Sequence, residues 1–294
     1  MLYTLENFTL KLTLDTHGAE IKAITNKATG FEYLWSGDPK IWGRTAPVLF
    51  PFVGTCKDHK YRFEGKEYEM TSHGFARDVE HEVLYASDNE ICFSIKDTEE
   101  SYENYPFRFE FLNIYRLEGN SVSVTWIVKN PGQDREDQTL YFSLGAHPAF
   151  TCPIHGEKNK SGYSLYFEGA DEIHHYGNLT GTCTHEHLIM PLKNNRVVMD
   201  ENFFERSTFI IENRQTKRVG IEDPDGHRFV TVDFDTPLFA VWSPAGKNAP
   251  FICIEPWCGR ADYDDYAGDL PSREYGNSLA KGQEFKNTYT MKFE

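Results

Sequence analysis

Apolar and polar residues alternate with period two along most of the chain. Phe8-Thr9-Leu10-Lys11-Leu12-Thr13-Leu14-Asp15 does so without a break, the mark of a half-buried strand. Similar runs lie at Tyr61–Met70, Glu82–Ala86, Ile91–Lys96, Phe107–Leu117, Val122–Val128 and Leu140–Leu144, and then at Tyr163–Phe167, Phe209–Glu212, Phe229–Phe234, Phe239–Trp242, Phe251–Glu255 and Thr288–Phe293. Turn chemistry separates many of them: Glu118-Gly119-Asn120, Asp223-Pro224-Asp225-Gly226 and Glu64-Gly65-Lys66. Helical patterns are nearly absent, and Ser272–Lys281 holds at most one short turn, weakened by Gly276. Many strands with almost no helix predict an all-β protein, an antiparallel sandwich or barrel. No linker or repeat divides the chain, so residues 1–294 are expected to form one domain. Thr151–Ser161 reads as a long loop, of the kind that often lines a site at the rim of a β scaffold.

Composition narrows the partners. With 30 Lys+Arg against 45 Asp+Glu, the net charge is −15. Nucleic acid and anionic membranes both need a basic face, so neither is expected as a main partner; a small anion held by a few local arginines stays possible. Aromatic residues make up 15% of the chain, enough for a core built on rings. Met1–Phe8 lacks the features of a secretory peptide, no apolar run reaches bilayer length, and the 6 cysteines are scattered without a C-x-x-C. These features predict reduced thiols in a cytoplasmic protein. Exposed sheet edges can pair into a homodimer, but nothing in the sequence requires it.

Four segments place ionisable groups in apolar surroundings: Gly43–Phe52, which opens with Arg44; Ser72-His73-Gly74-Phe75-Ala76-Arg77; Ser143–Phe150, which contains His147; and Ile252–Trp257, which contains Glu255. His147 and Glu255 each follow an apolar strand and precede a proline, which pushes the backbone to extended geometry. That predicts two side chains preset at strand ends, as positioned proton transfer requires. Burial among Ile252, Ile254 and Trp257 is expected to raise the pKa of Glu255 unless Arg44 or another cation offsets it, and the Glu255 carboxylate is expected to favour a charged His147. Trp257 offers a flat apolar face suited to stacking on a sugar ring.

Each residue also has a plainer reading. A strand-end His is more often a hydrogen-bonded structural residue, and Glu255, Arg44 and Arg77 can each belong to a structural ion pair. Among metal readings, His185 and His187 would face one side of a strand, beside His174-His175, but their setting is polar and loop-like, so no metal is expected. A phosphate loop, a nucleophile elbow and a dinucleotide fingerprint are all missing.

Taken in order, Arg44–Pro51, Ser72–Arg77, Gly145–Phe150, Ile254–Trp257 and the ending Gly268-Asp269-Leu270 … Asn277-Ser278-Leu279 … Gly282-Gln283 make the chain resemble the aldose 1-epimerase (galactose mutarotase) family, in its LacX-like branch. The resemblance implies a galactose mutarotase-like β-supersandwich with an open cleft for a monosaccharide and no cofactor. It implies His147 as general acid, Glu255 as general base, and His73 as a contact near the sugar ring oxygen. Arg44 would bind a hydroxyl or orient the base, and Arg77 matches an arginine that in the related hexose-6-phosphate epimerases helps hold the phosphate. The family's sugar-binding Asp has Asp200 as its candidate here, although the branch pattern expects an acid nearer Ser207. The activity implied is interconversion of the α and β anomers of an aldohexose. The alternatives are a hexose-6-phosphate 1-epimerase and a non-catalytic sugar-binding protein of the same fold.

Overall fold

The computed structural model describes residues 1–132, 138–177, 181–205 and 208–294. Two large antiparallel sheets dominate it. The nine-stranded sheet runs, in spatial order, through Arg196–Val198, Ser164–Phe167, Arg218–Glu222, Arg228–Phe234, Glu284–Phe293, Ser121–Lys129, Glu110–Glu118, Glu90–Lys96 and Glu82–Ala86. The second runs through His187–Pro191, Glu172–Tyr176, Phe209–Ile211, Leu238–Trp242, Phe251–Cys258, Leu144–Ala146 and Val48–Leu49, with Ala149–Thr151 also paired to Phe251–Cys258. A three-stranded sheet of Leu2–Glu6, Leu10–Asp15 and Ile21–Asn26 and two hairpin-sized sheets complete the fold. This is the nearly all-β, antiparallel architecture that the alternation predicts.

The period-two pattern becomes a burial pattern directly. Ser121–Lys129 alternates buried and half-buried residues, with Val122, Val124, Trp126 and Val128 all inside. The predicted turns fall where expected: Gly119 joins Glu110–Glu118 to Ser121–Lys129, and Asp223–Gly226 joins Arg218–Glu222 to Arg228–Phe234. Asp223 Oδ1 closes the latter by accepting from Asp225 N and His227 N at 3.0 and 2.9 Å. The core is aromatic. Phe50 stacks on Phe111 at 4.5 Å and packs against Phe109, Tyr105 and Phe142, which anchors the Gly43–Phe52 segment.

Three details differ from the expectation. A short helix at Glu99–Asn104 is capped by reciprocal Thr98 and Ser101 side-chain bonds, a local device that leaves no apolar periodicity to read. The stretch Ser272–Lys281 holds a three-residue strand, Asn277–Leu279, paired with Leu140–Phe142, and its only helical residue is Ser272, the end of a 3₁₀ turn that begins at Leu270. Glu255 lies inside the strand Phe251–Cys258 rather than at its end, although Pro256 follows it.

Candidate active site

The strand Phe251–Cys258 and its partner explain why His147 and Glu255 meet. Gly145 pairs with Trp257, and Ala149 pairs with Cys253. Both pairs sum to 402, so His147 falls opposite Glu255 in the same register. The rungs between them are missing, because Pro148 and Pro256 have no N–H to give to a ladder. The sheet parts at the point where the two side chains, on the same face, project toward one another. His147 Nε2 lies 3.3 Å from Glu255 Oε2, and both residues are buried, at 7% and 1% exposure. Period two also puts Cys253 and Trp257 on this face. Gly145 makes room for the indole: a Cβ there would meet Trp257 Cδ1 at 2.6 Å.

His73 arrives from a different element. It sits in a turn between Thr71 and the 3₁₀ turn Ala76–Asp78, with φ +66°, and Gly74 follows at φ +70°. A Cβ on Gly74 would collide with the Phe50 carbonyl, so glycine is required there. His73 N donates to Gly54 O at 2.8 Å, and Gly54 N donates to His73 Nδ1 at 3.1 Å. Since Nδ1 accepts, the proton of the neutral ring is on Nε2, which is left as a donor. The His73 and His147 rings are 5.5 Å apart.

These residues line a cavity of about 320 Å³ together with Trp42, Gly54, Thr55, Ser72, Arg77, Gly181, Thr208, Trp242 and Trp257. That volume suits a small polar ligand. A larger cavity, about 400 Å³, lies by Asp58, His59, Lys60 and Glu69, but all four are exposed and it holds no buried titratable group.

Burial sets the electrostatics. It drives the Glu255 carboxyl well above its ordinary range, and the Trp257 indole opposes this only weakly. It also drives His147 well below an ordinary imidazole, helped by His73, Arg77 and Arg44. His73 falls to about 3 through burial, then Arg77 and Arg44. The expectation that Glu255 keeps His147 charged is therefore corrected: desolvation outweighs the mutual attraction, and the pair favours its neutral form. The neutral pair and the ion pair hold the same protons and differ by one transfer across 3.3 Å. Glu255 Oε2, His147 Nδ1 and Trp257 Nε1 are all buried without a well-aligned hydrogen-bond partner. Native interiors seldom leave such groups unpaired, and here three converge on one cavity.

The remaining sequence candidates divide. Arg77 lines the cavity; its guanidinium donates to Ser72 O at 2.6 Å, and its Nε, 3.7 Å from Asp78 Oδ2, has no hydrogen bond. Arg44 turns away, pairing with Asp78 Oδ1 at 2.6 Å and donating to Arg77 O at 3.4 Å. Asp200 is not brought in. It lines a small separate cavity with Lys160, Phe204 and Asn248, and its Oδ1 accepts from Asn202 N at 2.9 Å, a local turn. Ser207, near which the branch pattern places an acid, lies outside the described residues. Of the loop Thr151–Ser161, Lys160 lines that separate cavity, and none of its residues lines the one holding His147 and Glu255.

Trp42 and Trp242 were not singled out by sequence. Three of the five tryptophans reach this cavity, and the signal was available: Trp42 precedes Gly43-Arg44 and Trp242 ends an apolar strand before Ser243-Pro244. The histidines considered for metal separate: His187 Nε2 faces His174 Nδ1 at 3.0 Å, whereas His185 pairs with Asp265 at 3.0 Å and stacks on Tyr263. Two groupings of metal-ligating residue types occur among the described residues, His185/Asp264/Asp265 on the surface and His147/Cys253/Glu255 inside. In the second, burial holds the Cys253 thiol protonated, a poor ligand.

Comparison with known proteins places the chain. The family model described as aldose 1-epimerase matches residues 1–292. The chromosomal LacX protein of Lactococcus lactis subsp. lactis is 31% identical over 269 residues, 88% of each chain. Among solved structures, a galactose mutarotase related enzyme from Lactobacillus acidophilus superposes with a TM-score of 0.92 at 34% identity, covering 100% of this chain and 97% of that one. A galactose mutarotase-like protein from Lactobacillus casei gives a TM-score of 0.91 at 27% identity, covering 100% of both chains. The chain belongs to the aldose 1-epimerase family.

Proposed function

We propose that the protein is an aldose 1-epimerase that interconverts the α and β anomers of a free aldohexose, with Glu255 as general base and His147 as general acid. The observation that carries this reading is the buried 3.3 Å His147–Glu255 contact at the floor of a cavity walled by tryptophans. Glu255, in the ion-pair form, removes the proton from the C1 hydroxyl. His147 gives its proton to the ring oxygen. The C1–O5 bond breaks, its electron pair goes to O5, and the C1 oxygen becomes an aldehyde. After rotation about C1–C2 the steps reverse on the other face. The entering hydroxyl offers Glu255 Oε2 the donor it lacks and so favours the carboxylate form. Neutral His73 donates from Nε2 to a sugar oxygen, and Trp257 supplies an apolar wall. Each positioned proton transfer contributes about 10²–10⁴-fold.

A second reading, a hexose-6-phosphate 1-epimerase, is favoured by one observation: Arg77 lines the cavity with its Nε unbonded. Against it, Arg44 is already paired with Asp78, which leaves Arg77 as the only cationic side chain lining the cavity among the described residues. Rates on glucose and galactose measured against their 6-phosphates separate the two. The free-sugar reading predicts a higher kcat/KM on the unphosphorylated sugars; a preference for the phosphates of tenfold or more replaces it with the second. Absence of acceleration on every free or phosphorylated aldose tried leaves a sugar-binding protein.

A further inference from the structure

The reading of His147 as an acid needs an imidazolium, yet its surroundings oppose one. Arg77 and Arg44 push the proton off, His73 is itself neutral, the Cys253 thiol is uncharged, and burial disfavours a charge on either member of the His147–Glu255 pair. A catalytic histidine is commonly oriented by a hydrogen bond at its second nitrogen, but His147 Nδ1 has no well-aligned partner, only a contact with its own backbone that weakly favours the protonated ring. What the ring does have is aromatic. Trp42 lies over it at 4.8 Å between centroids and 32° between planes, and Trp242 stands perpendicular at 5.3 Å.

We propose that Trp42 is a positioning residue for His147: the indole face fixes the imidazole plane and stabilises the imidazolium that ring opening consumes. Of the neutral side chains, an indole face is the strongest partner for a flat cation, and its attraction grows where water is excluded. Trp42 is held in that place by the fold. Its N–H donates to Asp38 O at 2.9 Å, its carbonyl accepts from Trp35 Nε1 at 2.8 Å, and Lys247 Nζ donates to Ile41 O at 2.8 Å. Its ring also packs on Trp242 and Phe251 at 5.5 and 5.6 Å. The loop from Asp38 to Arg44 is thereby strapped to two other parts of the chain, and the indole is preset. The proposal rests on the epimerase reading for its purpose, but the contact between the rings does not.

The test is a titration of the His147 ring by NMR in protein labelled with ¹⁵N-histidine, from about pH 4 to about pH 9, with His147→Asn assigning the resonance. It is run alongside the pH profile of kcat/KM for wild type, Trp42→Leu and Trp42→Phe. Without the indole face the proton leaves more easily, so Trp42→Leu is expected to lower the His147 titration midpoint by about one unit and to move the alkaline limb of the profile down with it, a roughly tenfold loss of rate on that limb. Trp42→Phe, a weaker face, is expected to restore part of both. A Trp42→Leu protein whose titration and profile shape match wild type overturns the proposal, even if its rate is uniformly lower. If Trp42→Leu does not fold, an unchanged titration in Trp42→Phe overturns it equally. If the wild-type ring stays neutral throughout this range, as its burial favours, the rate profile decides alone, and an alkaline limb that Trp42→Leu leaves in place overturns the proposal. A shifted titration in a protein with no epimerase activity discards the functional reading and keeps the role of Trp42.

Discussion

Two buried, oppositely shifted groups in contact define the chemistry at the level of single residues. Glu255 is raised and His147 lowered by the same cause, desolvation, so each is poised to exchange a proton with the other or with a ligand. Glu255→Gln keeps the shape and removes the proposed base; His147→Asn removes the proposed acid. Each is expected to cost roughly 10²–10⁴ in kcat with a modest change in KM, and the double change far less than the product, because the two act as a unit. Polarimetry on freshly dissolved α-glucose, with the spontaneous rate subtracted, supplies the numbers. Asp200→Ala is a contrasting case. Its carboxylate closes a turn in another cavity, so KM for the sugar is expected to stay within about twofold of wild type; a tenfold rise would show that Asp200 reaches the ligand after all.

The same pair shows what the sequence carried and where it stopped. A residue before proline reads as extended, and both His147 and Glu255 were visible for that reason. That they face each other was not, because register across the sheet is a tertiary fact that a strand's own alternation cannot state. At the level of elements, the two prolines part a ladder whose register continues on both sides, and the catalytic candidates occupy the gap. Arg44 looked equivalent to Arg77 in sequence but is held by Asp78, a partner 34 positions away. The helix Glu99–Asn104 went unseen since it rests on caps rather than on an apolar face. The turn that carries His73 gives a sharp test. Gly74→Ala puts a Cβ into the Phe50 carbonyl at a positive φ, so it is expected to destabilise by about 1–3 kcal/mol and to reduce kcat/KM by displacing His73. Calorimetry and kinetics together check it; a variant with wild-type stability would show that the turn relaxes freely.

Across the whole molecule the buried histidines dictate a pH response. Burial holds His73 at about 3 and His81 and His175 at about 4, and keeps His147 low as well. Each is neutral when folded and takes up a proton when unfolded below about pH 6.5, so its contribution is present above that value and is lost as pH falls toward the folded pKa. Glu255 works the other way: its folded pKa is raised, so it gives up its proton on unfolding above the ordinary carboxylate range and offsets one histidine. Uptake wins, four groups against one, and the unfolding free energy is expected to fall steadily between about pH 6.5 and about pH 5, by about 1.4 kcal/mol per pH unit for each net proton, taking the melting temperature down with it. Replacing His81, whose Nε2 donates to Ala76 O at 2.9 Å beneath the Arg77 turn, with Asn should flatten that slope. A melting temperature flat over this range would mean that the histidines are not buried neutral.

Family membership, the cavity and the paired groups lead to one central claim, that this fold opens and recloses a sugar ring through Glu255 and His147. The measurement that reaches it most directly is the rate of anomer exchange on free glucose and galactose, followed by polarimetry for wild type, Glu255→Gln and His147→Asn at equal folded concentration. The account predicts a clear acceleration by wild type over the spontaneous rate and a loss of at least about a hundredfold in each variant. A wild type that accelerates exchange while Glu255→Gln keeps near-normal kcat would contradict it and pass the role of base to another carboxylate.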